Sequence, residues 1–190
     1  MNCALRVPYS SNRPPADFFK YFNELANYYW RTLQAVNVVD RVPCILTPTS
    51  PFAGISLNYS NQTACDWHAD VMNLFTGMCL IIVLGRFDHR SSGQFLMHEA
   101  RTIVELRPGD FFFTLSSGLG HRNARLVPGH SRSSIVMYSP ASLFKWVHDG
   151  HTANEECPKG KEAVDALVKE GRQRVLQGFE RIGNKARFNL

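Results

Sequence analysis

The sequence contains no Cys-x-x-Cys pair: its five cysteines, Cys3, Cys44, Cys65, Cys79 and Cys157, lie scattered along the chain. That spacing excludes a zinc ribbon or finger, and an odd, dispersed count gives no disulfide framework. Both facts fit a reducing compartment. Long apolar runs are missing too. The most apolar stretch, Met78 to Leu84, falls far short of the roughly 20 residues that a membrane-spanning helix needs, and Met1 to Pro8 has no apolar core of the kind a secretory signal carries. A soluble, intracellular protein is expected, with no membrane partner. Repeats and low-complexity segments are absent, and acidic residues are in deficit: 16 Asp and Glu stand against 21 Lys and Arg, for a net charge of +5. This balance is compatible with a polyanionic partner without requiring one.

What is present is enough for a folded domain. The chain of 190 residues is 44% hydrophobic and 12% aromatic, which suits a single domain with a sizeable core. Residues 1–15 are polar and proline-bearing and should be an extended lead-in. Ala16 to Val36 predicts a helix, because Phe18, Phe22, Leu25, Tyr29 and Leu33 recur at three- and four-residue steps and Asp17 stands near the start, where an acid suits the dipole. Pro43, Pro48 and Pro51 then forbid a long helix or a central strand.

From Ala53 the pattern changes to short strands separated by turn signals. Ile55 to Tyr59 alternates, Trp67 to Asp70 follows a polar turn, and Cys79 to Gly85 is a continuous apolar run of the kind buried on both faces. Gln94 to Met97, Thr102 to Leu106, Phe111 to Leu115, Asn123 to Val127 and Ser133 to Tyr138 complete the set. About eight such strands predict a mainly β, α+β architecture of the sandwich or jelly-roll kind. After Pro140 the chain leaves the β region, and Lys161 to Phe179 predicts a second helix, interrupted at Gly171 and followed by a basic tail. The expected organisation is one domain over 1–190, with N-terminal helical support (1–52), a β core (53–140) and a C-terminal extension with a basic helix (141–190). A monomer is expected, with no protein partner implied.

The chemistry centres on Asp66-Trp67-His68-Ala69-Asp70. If His68 and Asp70 lie on a strand, their side chains share one face and present an imidazole beside a carboxylate. A metal site of two histidines and one carboxylate needs a third ligand from elsewhere, and leaves one face of an iron open. His121, reached through the turn Ser116-Ser117-Gly118-Leu119-Gly120, is the candidate. Arg132 then heads an apolar strand, where a buried guanidinium calls for an anion, and Ser134 falls on the same strand face.

This order of residues, His-x-Asp, a distant His, then Arg-x-Ser, resembles the iron(II)/2-oxoglutarate dioxygenases. His68-Ala69-Asp70-Val71-Met72-Asn73, Gly77 and the strand from Leu80, together with the stretch from His121 to Tyr138, resemble more narrowly the TET/JBP branch, including its fungal members. The resemblance covers about residues 53–150. It implies a double-stranded β-helix (jelly-roll, cupin-like) core with flanking N- and C-terminal helices, iron(II) on His68, Asp70 and His121, and oxygen and 2-oxoglutarate as co-substrates. Arg132 and Ser134 would hold the far carboxylate of 2-oxoglutarate, with Asn58 or Tyr59 reaching it from the other side. The substrate would be the methyl group of 5-methylcytosine or thymine in DNA, flipped into the site, with Asn73 contacting the base edge and Trp67, Tyr59 or Phe75 stacking on it; a nuclear location would follow. The cysteine-rich zinc module that flanks animal TET domains is missing, so DNA capture would rest on loops and basic surface. The same chemistry on a small molecule or a protein side chain is the alternative, and a third is an inactive relative that only binds.

Overall fold

A computed structural model describes residues 20–40, 50–60, 64–151 and 160–183. The chain is α+β. A helix, α1 (Asn23–Asp40), is followed by β1 (Gly54–Tyr59), β2 (Cys79–Arg86), β3 (Phe95–Met97), β4 (Thr102–Val104), β5 (Phe111–Thr114), β6 (His121–Asn123) and β7 (Ser131–Tyr138), and then by helices α2 (Ala141–His148) and α3 (Lys161–Gly183). Two antiparallel sheets result, one of four strands in the order β1-β7-β2-β5 and one of three in the order β4-β3-β6.

The apolar run of β2 explains how the layers stack. Side chains alternate along a strand, so Leu80 and Ile82 face one way, into a cluster with Leu25, Ala26 and Tyr29 of α1, Phe111 and Phe144. Cys79, Ile81 and Val83 face the other way, into a second cluster with Phe95, Val104 and Leu106. The four-stranded sheet thus carries helices on one face and the smaller sheet on the other, which is why this strand is apolar throughout.

The helical layer is anchored at specific points. The Tyr29 hydroxyl donates to the Met78 carbonyl at 3.1 Å, and burial pushes its acidity well below that of an ordinary phenol. Arg181 of α3 lies over the Tyr28 ring, 4.0 Å from its centroid. Gly178 of α3 rests so tightly on Thr76 that any Cβ there would overlap the threonine side chain. Gly171, expected to interrupt this helix, lies within it, because the cost of one glycine is small beside the packing of the helix on α1.

Three further expectations need correction. The first helix runs to Asp40 rather than Val36, with a bend at Phe22 before it; its expected start at Ala16 and Phe18 lies outside the described residues. The strand expected at Asn123 to Val127 is instead the short β6, because residues 124–127 carry no ladder bonds beyond Ala124 N–H to the Gln94 carbonyl. Trp67 to Asp70 is not a strand either. His68 makes one isolated antiparallel bridge with His121, and the chain then turns at Val71 and Met72, where the Asn73 N–H closes onto the Asp70 carbonyl at 2.8 Å.

Candidate metal centre

The His68–His121 bridge builds the site. His68 N–H donates to the His121 carbonyl at 3.1 Å and His121 N–H to the His68 carbonyl at 2.8 Å, so two segments distant in sequence are locked in register and their imidazoles sit 4.4 Å apart, centroid to centroid. Asp70 follows, its own N–H tied to the Ser116 carbonyl at 2.9 Å. One ligand atom from each of His68, Asp70 and His121 lies within 4.8 Å of the others, and His68 Nε2 stands 3.8 Å from Asp70 Oδ1. Bonds of about 2.1 Å to a shared ion would bring neighbouring donors to about 3 Å, so the triad needs only a small contraction to hold one.

The orientation of the rings fits that use. His68 Nδ1 is 2.8 Å from the Asp66 carbonyl and His121 Nδ1 is 2.9 Å from the Leu119 carbonyl. A carbonyl can only accept, so each Nδ1 carries a hydrogen, and the Nε2 of each ring is the atom left to offer a lone pair to a metal. Phe95 stacks on the His121 ring at 5.2 Å and 26°, fixing its plane. His121 is buried, whereas the His68 and Asp70 side chains are 43% and 33% exposed, which leaves one side of the triad open.

The open side faces a cavity of about 460 Å³ between the two sheets. Arg132 and Ser134 project into it from β7, both buried, because alternate residues of that strand face inward. Removal from water pushes the Arg132 guanidinium below its ordinary range, with Cys65 opposing the shift. Its alkyl stem passes Gly93, whose φ of +71 strains any other residue and where a Cβ would press on the Arg132 Cδ at 3.2 Å. Gly85, paired with Arg132 across the sheet, has φ +125, and a Cβ there would overlap the Ser131 carbonyl. Asn58 lines the same cavity and donates to Ser134 Oγ at 3.2 Å.

Not every expected residue arrives. Tyr59 follows Asn58 and so falls on the opposite face of β1, 92% exposed and outside the cavity. Trp67 is also absent from the cavity wall. It packs edge-on to His98 at 5.4 Å, with the Arg122 guanidinium 4.9 Å from its ring centroid. Phe75 meets Phe179 of α3 edge-on at 6.1 Å, so its ring serves helix packing. Asn73 does line the cavity, with its amide Nδ2 directed at Ser116 Oγ, 3.2 Å away, and at Asp70 Oδ2, 3.5 Å away.

Sequence reasoning missed Ser116, Cys79 and the pair formed by Ser92 and His130. Ser116 reads as an ordinary turn residue, and nothing in its neighbours marks it as a partner of Asp70 and Asn73. Cys79 lines the cavity and bonds to Ser116, with burial pushing its thiol up to about 12. Ser92 Oγ and His130 Nδ1 lie 2.8 Å apart and join the two turns that flank the Arg132 stem. The basic helix is only partly available for a polyanion: Arg174 faces Asp149 and Glu170 and Arg181 covers Tyr28. Lys185 and Arg187 lie outside the described residues. Among the described residues, no helix is long and apolar enough to cross a membrane.

No protein-family model matches the sequence and no curated protein matches it. Among solved structures, NgTET1 in complex with 5mC DNA aligns at 12% identity over 69% of this chain and 53% of that one, with a TM-score of 0.45. This chain therefore spans about half the length of that protein, and any functional reading rests on the geometry of the site itself.

Proposed function

We propose that this protein is an iron(II)- and 2-oxoglutarate-dependent dioxygenase that oxidises a nucleobase methyl group, that of 5-methylcytosine or thymine, in DNA. In this reading the two sheets are the halves of a double-stranded β-helix and the chain acts as a single monomeric domain. The observation that carries the chemistry is the coincidence, in one cavity, of two imidazoles with bare Nε2 atoms, a carboxylate and a buried arginine. Two nitrogens and one oxygen on one side suit iron(II) with open positions. When bound, that metal supplies oxygen-dependent oxidation of a C–H bond coupled to decarboxylation of a 2-oxo acid.

The chain's own residues bind and orient. Arg132 offers a planar fork to a carboxylate deep in the cavity, where its own burial strengthens the pairing. Asn58 donates to Ser134 Oγ, so the serine's own hydrogen remains to be given to the same carboxylate. Asn73, with its N–H hydrogens directed at Asp70 and Ser116, has an acceptor oxygen to offer a substrate, which suits the amino edge of cytosine or the imino N–H of thymine.

Nucleoside mass spectrometry of methylated DNA incubated with protein, iron(II), 2-oxoglutarate and ascorbate tests the proposal. Oxidised methyl groups that depend on both iron(II) and 2-oxoglutarate are expected. The engagement of Arg174 and Arg181 in helix packing favours a second reading, in which the same chemistry serves a small molecule or a protein side chain. Turnover of 2-oxoglutarate with no oxidised nucleoside would leave that reading in place and reject DNA.

A further inference from the structure

The turn that joins β5 to β6 supports all three members of the triad. Its Leu119 carbonyl holds Nδ1 of His121 at 2.9 Å, its end carries His121 into the bridge with His68, and its Ser116 carbonyl holds the Asp70 N–H at 2.9 Å. Backbone contacts fix where the Asp70 main chain sits but not how the carboxylate is turned. A side-chain route reaches the carboxylate itself: Asn73 Nδ2 lies 3.5 Å from Asp70 Oδ2 and donates to Ser116 Oγ at 3.2 Å. Ser116 is 2% exposed, and its side chain is also bonded to the buried Cys79.

We propose that Ser116 is a positioning residue for the metal centre: acting through Asn73, its hydroxyl holds Asp70 Oδ2 back, so that Oδ1 is the oxygen presented toward His68 Nε2 and the bound ion. The inference rests on the metal-binding reading of the triad and is independent of the identity of the substrate. A hydroxyl serves here because it accepts from the Asn73 amide while keeping its bond to the Cys79 thiol. Without it, the Asn73 side chain loses its inner anchor, the carboxylate gains rotational freedom, and that freedom must be given up each time the metal binds.

The test is cobalt(II) affinity, by calorimetry and by the visible absorption of the bound ion, in wild type, Ser116→Ala, Ser116→Thr, Asn73→Leu and the double variant Ser116→Ala/Asn73→Leu, with His68→Ala as the blank. Loss of a residue that orients a ligand lowers metal affinity by roughly 10- to 100-fold, and a fall of about ten-fold or more is expected in Ser116→Ala, with an altered visible spectrum. Ser116→Thr, which keeps the hydroxyl, should restore the wild-type spectrum. Because Ser116 acts through Asn73, the double variant should be no weaker than either single one. A merely structural serine would lower the thermal midpoint of the metal-free protein and leave affinity and spectrum alone, and that result overturns the proposal. So does wild-type affinity in Asn73→Leu, which breaks the same route at its more accessible end and decides the matter if Ser116→Ala fails to fold. Wild-type protein that binds cobalt(II) no better than His68→Ala would overturn the triad itself, a failure distinct from that of Ser116.

Discussion

Replacing Arg132 by alanine offers the most informative perturbation of the proposed co-substrate site. Its side chain is 1% exposed and reaches into the cavity beside Ser134, so a carboxylate bound there meets the guanidinium out of water. A charge-assisted bond of this kind contributes about 1.5–3 kcal/mol, and at about 1.4 kcal/mol per factor of ten the half-saturating concentration of 2-oxoglutarate should rise roughly 10- to 100-fold. Succinate formation against 2-oxoglutarate concentration gives that number. Thermal denaturation gives it independently: a ligand at about 100 times its Kd stabilises by about 2.7 kcal/mol, which for a domain of this size is a shift of about 5–10 °C. The shift should be present in wild type with metal and 2-oxoglutarate, and cut by about half or more in Arg132→Ala at the same ligand concentration. Cobalt(II) affinity without 2-oxoglutarate should be unchanged, since Arg132 is not a ligand. An unaltered dependence on 2-oxoglutarate would refute the reasoning and assign the anion to another cation. Arg132→Lys should fall between, because a point charge cannot reproduce the fork.

Other predictions test the site and its frame. His68→Ala should abolish specific metal binding and metal-dependent turnover; calorimetry showing near-normal affinity would dismiss the triad. Gly85→Ala forces a Cβ onto the Ser131 carbonyl at φ +125 and should cost at least about 2 kcal/mol in denaturant unfolding, whereas a loss below about 0.5 kcal/mol would mean that the strand relaxes freely there. Gly178→Ala drives a Cβ into Thr76 and should destabilise by about 1–3 kcal/mol, measured in the same way. Cys79, its thiol pushed from 9.0 up to about 12 by burial, should resist alkylation at pH 8 while Cys65, half-buried at the cavity wall, reacts. Above pH 9 the unfolded chain gives up this proton and the folded chain keeps it, so the associated stability is complete below pH 9 and lost as pH rises toward 12. Equal labelling of both thiols in folded protein would contradict that burial.

Much of this was legible in the residues, for identifiable reasons. Burial made β2 legible through its unbroken apolar run, whereas β1 was legible by alternation alone: its apolar Ile55, Leu57 and Tyr59 face outward and its polar Ser56 and Asn58 line the cavity. The triad was legible because three residues of the right chemistry stand in the right order. The reason first given for it, a strand carrying His68 and Asp70, did not hold. A single backbone bridge and a turn achieve the same convergence, and such long-range pairing leaves no periodic trace. The aromatic residues proposed for stacking show the limit in the other direction. Trp67 and Phe75 find partners in Arg122, His98 and Phe179, which lie too far away in sequence for local reasoning to anticipate. Ser116 was invisible because its role consists entirely of what it touches.

The bridge between His68 and His121 also bears on when the site can exist during folding. Both imidazoles belong to one pair of backbone hydrogen bonds, and closing that pair means closing the whole intervening loop, which contains β2, β3, β4 and β5. The entropy of such a closure has to be met by the strands packing inside it, so the ligands come together as a late event rather than a nucleus. A metal ion captured there acts as a clasp on a long loop already closed. It should slow unfolding far more than it speeds folding, and stopped-flow unfolding with and without cobalt(II) would show on which limb the metal acts.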